Sequence, residues 1–278
     1  MLSLLKNIIF YLNKKKYSFN PVFIIGCGRS GTSILGRSLS NHPNITYLNE
    51  RRDLWHSAYP EFNIWEKEKS KLYAGKNDIN NQKNKKLHRL LFKEQVIGKS
   101  TILLEKLPIN SFRLEFLINS FPHAKFIYIH RNGLEVSSSI SKKITQLNWF
   151  GNESRKWNML LNFAKRQNED ITNNISSDLH KGMLEWRMSM QESHKFFQSL
   201  EKNKFTHISY EDLVNHPNKS IKKIFEFLKI PSSTNLIEKC SKNIQRKSYC
   251  IKTTKDKSLL TIGGEFLTNT LNNTYSPD

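Results

Sequence analysis

The residues at 26–33 read Gly-Cys-Gly-Arg-Ser-Gly-Thr-Ser, with Gly26 and Gly31 five positions apart and two hydroxyl residues following. Glycines let the backbone turn tightly and present successive N–H groups to an anion. Thr32 and Ser33 add hydroxyl donors and Arg29 adds a planar cation, while a helix beginning here adds its positive end. The chemistry this pattern supports is phosphate binding. A nucleotide hydrolase would carry lysine directly after the last glycine, in GxxxxGK[ST], to reach the β- and γ-phosphates. Thr32 stands in that place. No later strand candidate ends in a magnesium-holding Asp, because the one ending at His130 runs into Arg131. The loop is therefore expected to hold a phosphate without a metal-bridged triphosphate. The competing reading is an ordinary glycine turn, which does not account for the Arg, Thr and Ser that accompany it.

A second cluster, His-Arg-Asn-Gly-Leu-Glu-Val-Ser-Ser-Ser, occupies 130–139. An arginine at the carboxyl end of a buried strand points toward the crevice where sheet ligands sit. Ser139, eight residues after Arg131, falls about two turns into the next helix and can face the same way. The pair makes a second anion site. Arg-x7-Ser alone is weak, and it gains weight from the strand before it and the glycine loop elsewhere.

These residues need a sheet to position them. Pro-Val-Phe-Ile-Ile at 21–25 is a continuous apolar run bounded by Pro and Gly, the pattern of a parallel strand buried on both faces. Residues 32–40 read as a helix that ends near His42-Pro43, since proline disfavours helix before it. Strand candidates follow at 45–48, 102–105, 124–130 and 204–210, and helical spacing at 110–120, 135–143, most of 152–202 and 220–228. Strand, glycine loop, helix and strand open a doubly wound, mainly parallel α/β sheet flanked by helices. The charged, Asn-rich residues 66–86 read as an exposed excursion, partly helical or mobile, and the tail after Pro231 is weakly patterned.

Bulk composition is less decisive. The chain has 278 residues, 37% hydrophobic, and a net charge of +20. The length suits one α/β domain. The charge points to a polyanionic partner, although abundant Lys, Asn and Ile make solvated surface the default for most lysines. Cys27, Cys240 and Cys250 are odd in number and lack a CxxC. Neither a disulfide framework nor a zinc site is indicated, and a reducing cytoplasm is the expected compartment. Residues 1–20 form an amphipathic helix with trailing Lys14, Lys15 and Lys16. The helix packs on the domain edge or lies peripherally on a membrane. It lacks the basic start and small-residue cleavage site of a signal peptide.

Together the two clusters resemble the sulfotransferases that use 3'-phosphoadenylyl sulfate (PAPS). FIIGCGRSGTSIL is similar to that family's 5'-phosphosulfate loop, and KFIYIHRNGLEVSSSI to its 3'-phosphate motif. EKLPINSFRLEFLINSFPHAKFIYIHRN and FTHISYEDLVNHPNKSIKKIFEFLKI resemble further family segments in the same order. The resemblance covers about 20–230 and implies a P-loop-like sulfotransferase domain over 21–278. RSGTSILGRSLSNHPNITYLNERRDLW is nearest in style to tyrosylprotein sulfotransferases and their bacterial relatives.

The resemblance implies roles residue by residue. Gly28, Arg29, Ser30, Gly31, Thr32 and Ser33 would bind the 5'-phosphosulfate, Arg131 and Ser139 the 3'-phosphate, and Tyr210 the nucleotide. The family's catalytic base, placed by counting from the loop, falls on Glu50, with substrate-contacting Arg52 two residues later. The family's Lys before x-Pro matches Lys106, which with Arg29 would stabilise the leaving group. The family often carries paired acidic residues where this chain has Asn49-Glu50, so the hydroxyl acceptor (glycan, lipid, tyrosine or small molecule) stays open. No metal is expected, and sulfuryl transfer rests on alignment and charge stabilisation. His42 and His56 are rival bases, and Trp149, Phe150, Trp157 and Trp186 read as packing. A nucleotide kinase with a divergent loop and a polyanion-binding module are the alternatives. Nucleic acid is not the expected partner, and oligomeric state is left open.

Overall fold

The computed structural model describes residues 2–19, 21–66, 68–167, 170–245 and 253–277. Five strands, β1 (Pro21–Ile25), β2 (Ile45–Asn49), β3 (Ile102–Lys106), β4 (Lys125–His130) and β5 (Phe205–Ser209), form one sheet in the order β2-β3-β1-β4-β5. Every pairing is parallel, as the sequence pattern predicts. β1 and β3 are buried at all five positions, because helices cover both faces of the sheet. Side chains alternate between those faces. Phe23 and Ile25 join Phe126, Tyr128, Trp55 and Trp186 on one side, and Val22 and Ile24 join Ile127, Leu35, Leu39 and Phe225 on the other.

The helices are α1 (Leu2–Asn13), α2 (Thr32–Leu39), α3 (Arg52–Ala58), α4 (Asn81–Ile97), α5 (Leu114–Ser120), α6 (Gly133–Leu147), α7 (Arg155–Arg166), α8 (Asp178–Ser199), α9 (Tyr210–Asn215), α10 (Pro217–Leu228), α11 (Thr234–Ser241) and α12 (Lys257–Leu271). Strand order grows one way from β1 through β3 to β2 and the other way through β4 to β5. The carboxyl ends of β1, β3 and β4 therefore meet at the switch point, where an open parallel sheet leaves a crevice.

Three expectations need correction. Residues 66–86 are mostly exposed and enter a helix at their end, but part of the stretch is anchored to the core. Leu72 and Ala74 are buried, α4 begins at Asn81, and the fully buried Arg113 donates to the carbonyls of Phe62, Lys71 and Leu72. The same arginine explains the second difference. The spacing over 110–120 predicts a helix, but a 3-10 turn at Pro108–Phe112 precedes α5, because Arg113 turns inward to satisfy those carbonyls. Third, the tail after Pro231 is substantially helical. Leu259, Ile262 and Leu267 of α12 are buried in the larger core, and Tyr275 lies edge-on to His130 at 4.7 Å. Cys250 lies outside the described residues.

Candidate active site

The glycine loop leaves β1 and enters α2 at Thr32. Gly31 has φ of +96° and a Cβ there would stand 2.6 Å from the Tyr210 ring, so glycine is required for both reasons. Arg29 also adopts a left-handed φ of 74°. The Ser30 N–H donates to the Cys27 carbonyl at 3.1 Å and closes the turn. The first N–H groups of α2 have no acceptor within the helix and point out of its positive end. The Ser30 hydroxyl is buried without a hydrogen-bond partner among the described residues, an orphan in the place where an anion would sit. Cys27 is buried and burial pushes its thiol up, so it packs the turn rather than serving as a nucleophile.

β3 delivers Lys106 to the loop. Its fully buried ammonium donates to Ser33 Oγ at 2.9 Å and to Glu50 Oε1 at 2.5 Å. Glu50 stands just past β2 with a φ of 54°, and its N–H donates to the Lys106 carbonyl at 2.9 Å. Arg52 donates to the other carboxylate oxygen at 3.0 Å and stacks over the Trp65 ring at 3.8 Å, a cation–π contact. Burial pushes the Glu50 carboxyl up, but Lys106 and Arg52 outweigh it and the net shift is downward. Burial lowers Lys106, and attraction to Glu50 opposes the fall. The carboxylate thus stays ionised beside a cation that has little water around it.

Arg131 and Ser139 meet the loop from β4 and α6. Arg29 Nε donates to Ser139 Oγ at 2.9 Å. Arg131 Nη1 donates to the Arg29 carbonyl at 3.1 Å, and its guanidinium lies 3.9 Å over the Tyr210 ring. Arg131 also pairs with the buried Glu135 one turn along α6. Trp186 Nε1 donates to the Arg131 carbonyl at 3.1 Å, and its ring fills the space beside Gly133. Glu135 and Trp186 were not foreseen as parts of the site. The Glu four residues after Arg131 was the available signal, while nothing local marks Trp186.

The remaining candidates sort by position. Trp149 is half-buried and its ring stands 2.8 Å from where a Gly28 Cβ would be, so it walls the loop rather than filling the core. Glu185 accepts from Trp149 Nε1 at 2.7 Å and from Lys156 at 2.6 Å, which fixes that ring. Trp186 is fully buried and Phe150 nearly so, as packing predicts. His42 is structural, bonded to the Pro231 carbonyl at 2.9 Å. His56 stands with its ring 6.4 Å from Trp65. His130 is buried against Tyr275, and burial lowers it to about 3, which leaves it neutral.

The family model described as the sulfotransferase family matches residues 21–234. The chain belongs to the sulfotransferase family. It is 26% identical over 229 residues to the protein-tyrosine sulfotransferase of Drosophila melanogaster, covering 79% of this chain and 40% of that protein. It is also 26% identical over 225 residues to protein-tyrosine sulfotransferase A of Caenorhabditis elegans, covering 76% and 50%. The chain thus spans half or less of the length of these curated relatives. Among solved structures, the sulfotransferase STF9 of Mycobacterium avium superposes with a TM-score of 0.55 at 14% identity, covering 95% of this chain and 81% of that one. The sulfotransferase domain of the curacin biosynthetic pathway gives 0.51 at 17% identity, covering 94% and 93%. These likenesses establish a shared fold.

Proposed function

We propose that this protein transfers a sulfuryl group from PAPS to a hydroxyl acceptor, with Glu50 as the base and Lys106 as the chief stabiliser of the leaving group. The observation that carries this reading is the placement of the Lys106 ammonium between Ser33 Oγ on the phosphate loop and the Glu50 carboxylate. One cation touches both the place where leaving-group charge grows and the group that receives the acceptor's proton.

PAPS would supply a sulfuryl group carried on a phosphate leaving group. The loop residues fit such a phosphate: the Ser30 hydroxyl lacks a partner among the described residues, the α2 N-terminus is oriented toward it, and Lys106 stands beside Ser33. Arg131, Ser139 and Tyr210 would hold the 3'-phosphate and nucleoside, with Arg29 bridging the two groups of residues. Glu50, ionised and acceptor-only, takes the proton from the acceptor hydroxyl as that oxygen bonds to sulfur and the sulfur–oxygen bond to phosphate breaks. General base catalysis of this kind contributes about 10²–10⁴-fold. Lys106 and the loop N–H groups meet the negative charge left on the 5'-phosphate oxygen, an effect worth about 10²–10³-fold per donor.

Arg52 stands beside Glu50 with Trp65 stacked on its guanidinium and Trp149 stands beside Gly28, so the acceptor would enter between them. The curated relatives are named for tyrosine, which makes a tyrosyl hydroxyl the first acceptor to assay. The decisive experiment compares thermal unfolding with adenosine 3',5'-bisphosphate against unfolding with ATP and magnesium. Stabilisation by the bisphosphate alone is expected. An equal response to both, or to neither, overturns the reading.

A further inference from the structure

The exposed apolar surface is concentrated on the first helix. Seven large apolar side chains are exposed among the described residues, and four of them, Leu5, Ile8, Tyr11 and Leu12, lie on α1. Their spacing of three and four positions places them along one helical face. The helix is seated through other side chains. Phe10 is buried and meets Phe92 of α4 edge-on at 5.8 Å, and Lys93 donates to Asn7 Oδ1 at 2.7 Å. Arg89 donates to the Tyr11 hydroxyl at the flank of the exposed stripe. Leu5, Ile8 and Leu12 are 53%, 48% and 73% exposed, so the stripe is not the face that holds α1 to the sheet.

The collar around this stripe is basic. Lys14, Lys15 and Lys16 follow α1 as a 3-10 turn with no buried residue. No Asp or Glu occurs anywhere before Glu50. α4, on which α1 rests, carries Lys83, Lys85, Lys86, Arg89 and Lys93; Lys83 pairs with Glu61 at 2.7 Å, Lys86 donates to the Ser57 carbonyl, and the acid of α4 itself, Glu94, is taken up by Arg51 at 3.3 Å. An isolated apolar stripe with a cationic border matches the chemistry of an anionic lipid surface, apolar below the head groups and negative at them. No described helix is long and apolar enough to cross a membrane, so α1 would lie along the surface.

We propose that α1 docks the protein on an anionic phospholipid bilayer, with Leu5, Ile8, Tyr11 and Leu12 entering the acyl boundary and Lys14, Lys15 and Lys16 meeting the head groups. The inference is independent of the transfer reaction.

The test is co-sedimentation of the full chain with phosphatidylglycerol–phosphatidylcholine vesicles and with pure phosphatidylcholine vesicles. The chain is expected to pellet with the anionic vesicles and to be released by salt. The double substitution Ile8→Glu with Leu12→Glu should lower partitioning on the order of tenfold or more, since two apolar side chains lose their insertion. Lys14→Gln, Lys15→Gln and Lys16→Gln together should remove the preference for anionic vesicles. All five side chains face away from the core, so unfolding temperature should not change. Failure of the chain to pellet overturns the proposal, as does equal pelleting of the double variant. A concentration-dependent dimer that the double variant abolishes, without vesicle binding, also overturns it by assigning the stripe to a second copy.

Discussion

Lys106 and Glu50 are joined twice. The Glu50 N–H donates to the Lys106 carbonyl at 2.9 Å, and the Lys106 ammonium returns to Glu50 Oε1 at 2.5 Å. The backbone bond extends the β2–β3 register one step past the Asn49–Lys106 pair. It fixes the glutamate in a left-handed conformation that costs about 1–3 kcal/mol for a non-glycine residue. A surface carboxylate would relax out of it. Here the reciprocal bonds hold the carboxylate above the ammonium, which in turn touches the phosphate loop.

Glu50→Gln keeps the shape and removes the charge. Turnover should fall about 10²–10⁴-fold while adenosine 3',5'-bisphosphate still binds. The same variant has a pH signature. Burial lowers Lys106 and the Glu50 charge opposes that fall, so without the charge Lys106 loses its proton at lower pH. The alkaline limb of bisphosphate binding should therefore move to lower pH in Glu50→Gln. Calorimetric titrations across pH read this directly, and an unmoved limb would separate Lys106 from the phosphate.

Arg131 uses its planar fork in three directions, toward Glu135, the Arg29 carbonyl and the Tyr210 ring. Lysine keeps the charge and cannot reproduce the fork. Arg131→Lys should reduce the preference for adenosine 3',5'-bisphosphate over adenosine 5'-phosphate by roughly 10–100-fold, the worth of one or two charge-assisted hydrogen bonds. Binding of the 5'-phosphate itself should change less. Equal losses for both nucleotides would mean that Arg131 only braces the loop.

Glu105 precedes Lys106 and faces the other side of the sheet. Its buried carboxyl accepts from Trp55 at 3.1 Å and Asn110 at 3.2 Å, and burial raises it to about 8. A carboxyl raised on folding contributes stability that is full below its unfolded value, about 4.3, and is lost as pH rises through the folded value. Unfolding temperature should therefore fall between about 4.3 and about 8. Glu105→Gln, which keeps one acceptor oxygen and does not titrate, should flatten that fall. An unchanged slope across the same range would contradict the assignment.

Much of this architecture is local in origin. The run at β1, the glycines after it and the Arg131–Ser139 interval are consequences of strand burial, backbone freedom and helical periodicity, all legible over a few residues. A family resemblance implies Glu50, and the fold brings it to Lys106 across 56 positions. Where patterning failed, long-range satisfaction was the cause. Arg113 broke an expected helix to reach carbonyls some forty and fifty positions away, and α12 gains its apolar burial only against a distant core.

A parallel α/β sheet and a phosphate loop without the hydrolase lysine follow from residue type and short spacing, and so are legible along the chain. A family resemblance names Lys106, but its meeting with Ser33 at 2.9 Å across 73 positions exists only once β3 lies beside β1. The bond from Arg29 to Ser139 likewise spans 110 positions and depends on the same packing. Sheet order sets those meetings: β3 and β4 flank β1 on opposite sides, and side chains remote in sequence converge at the strand ends.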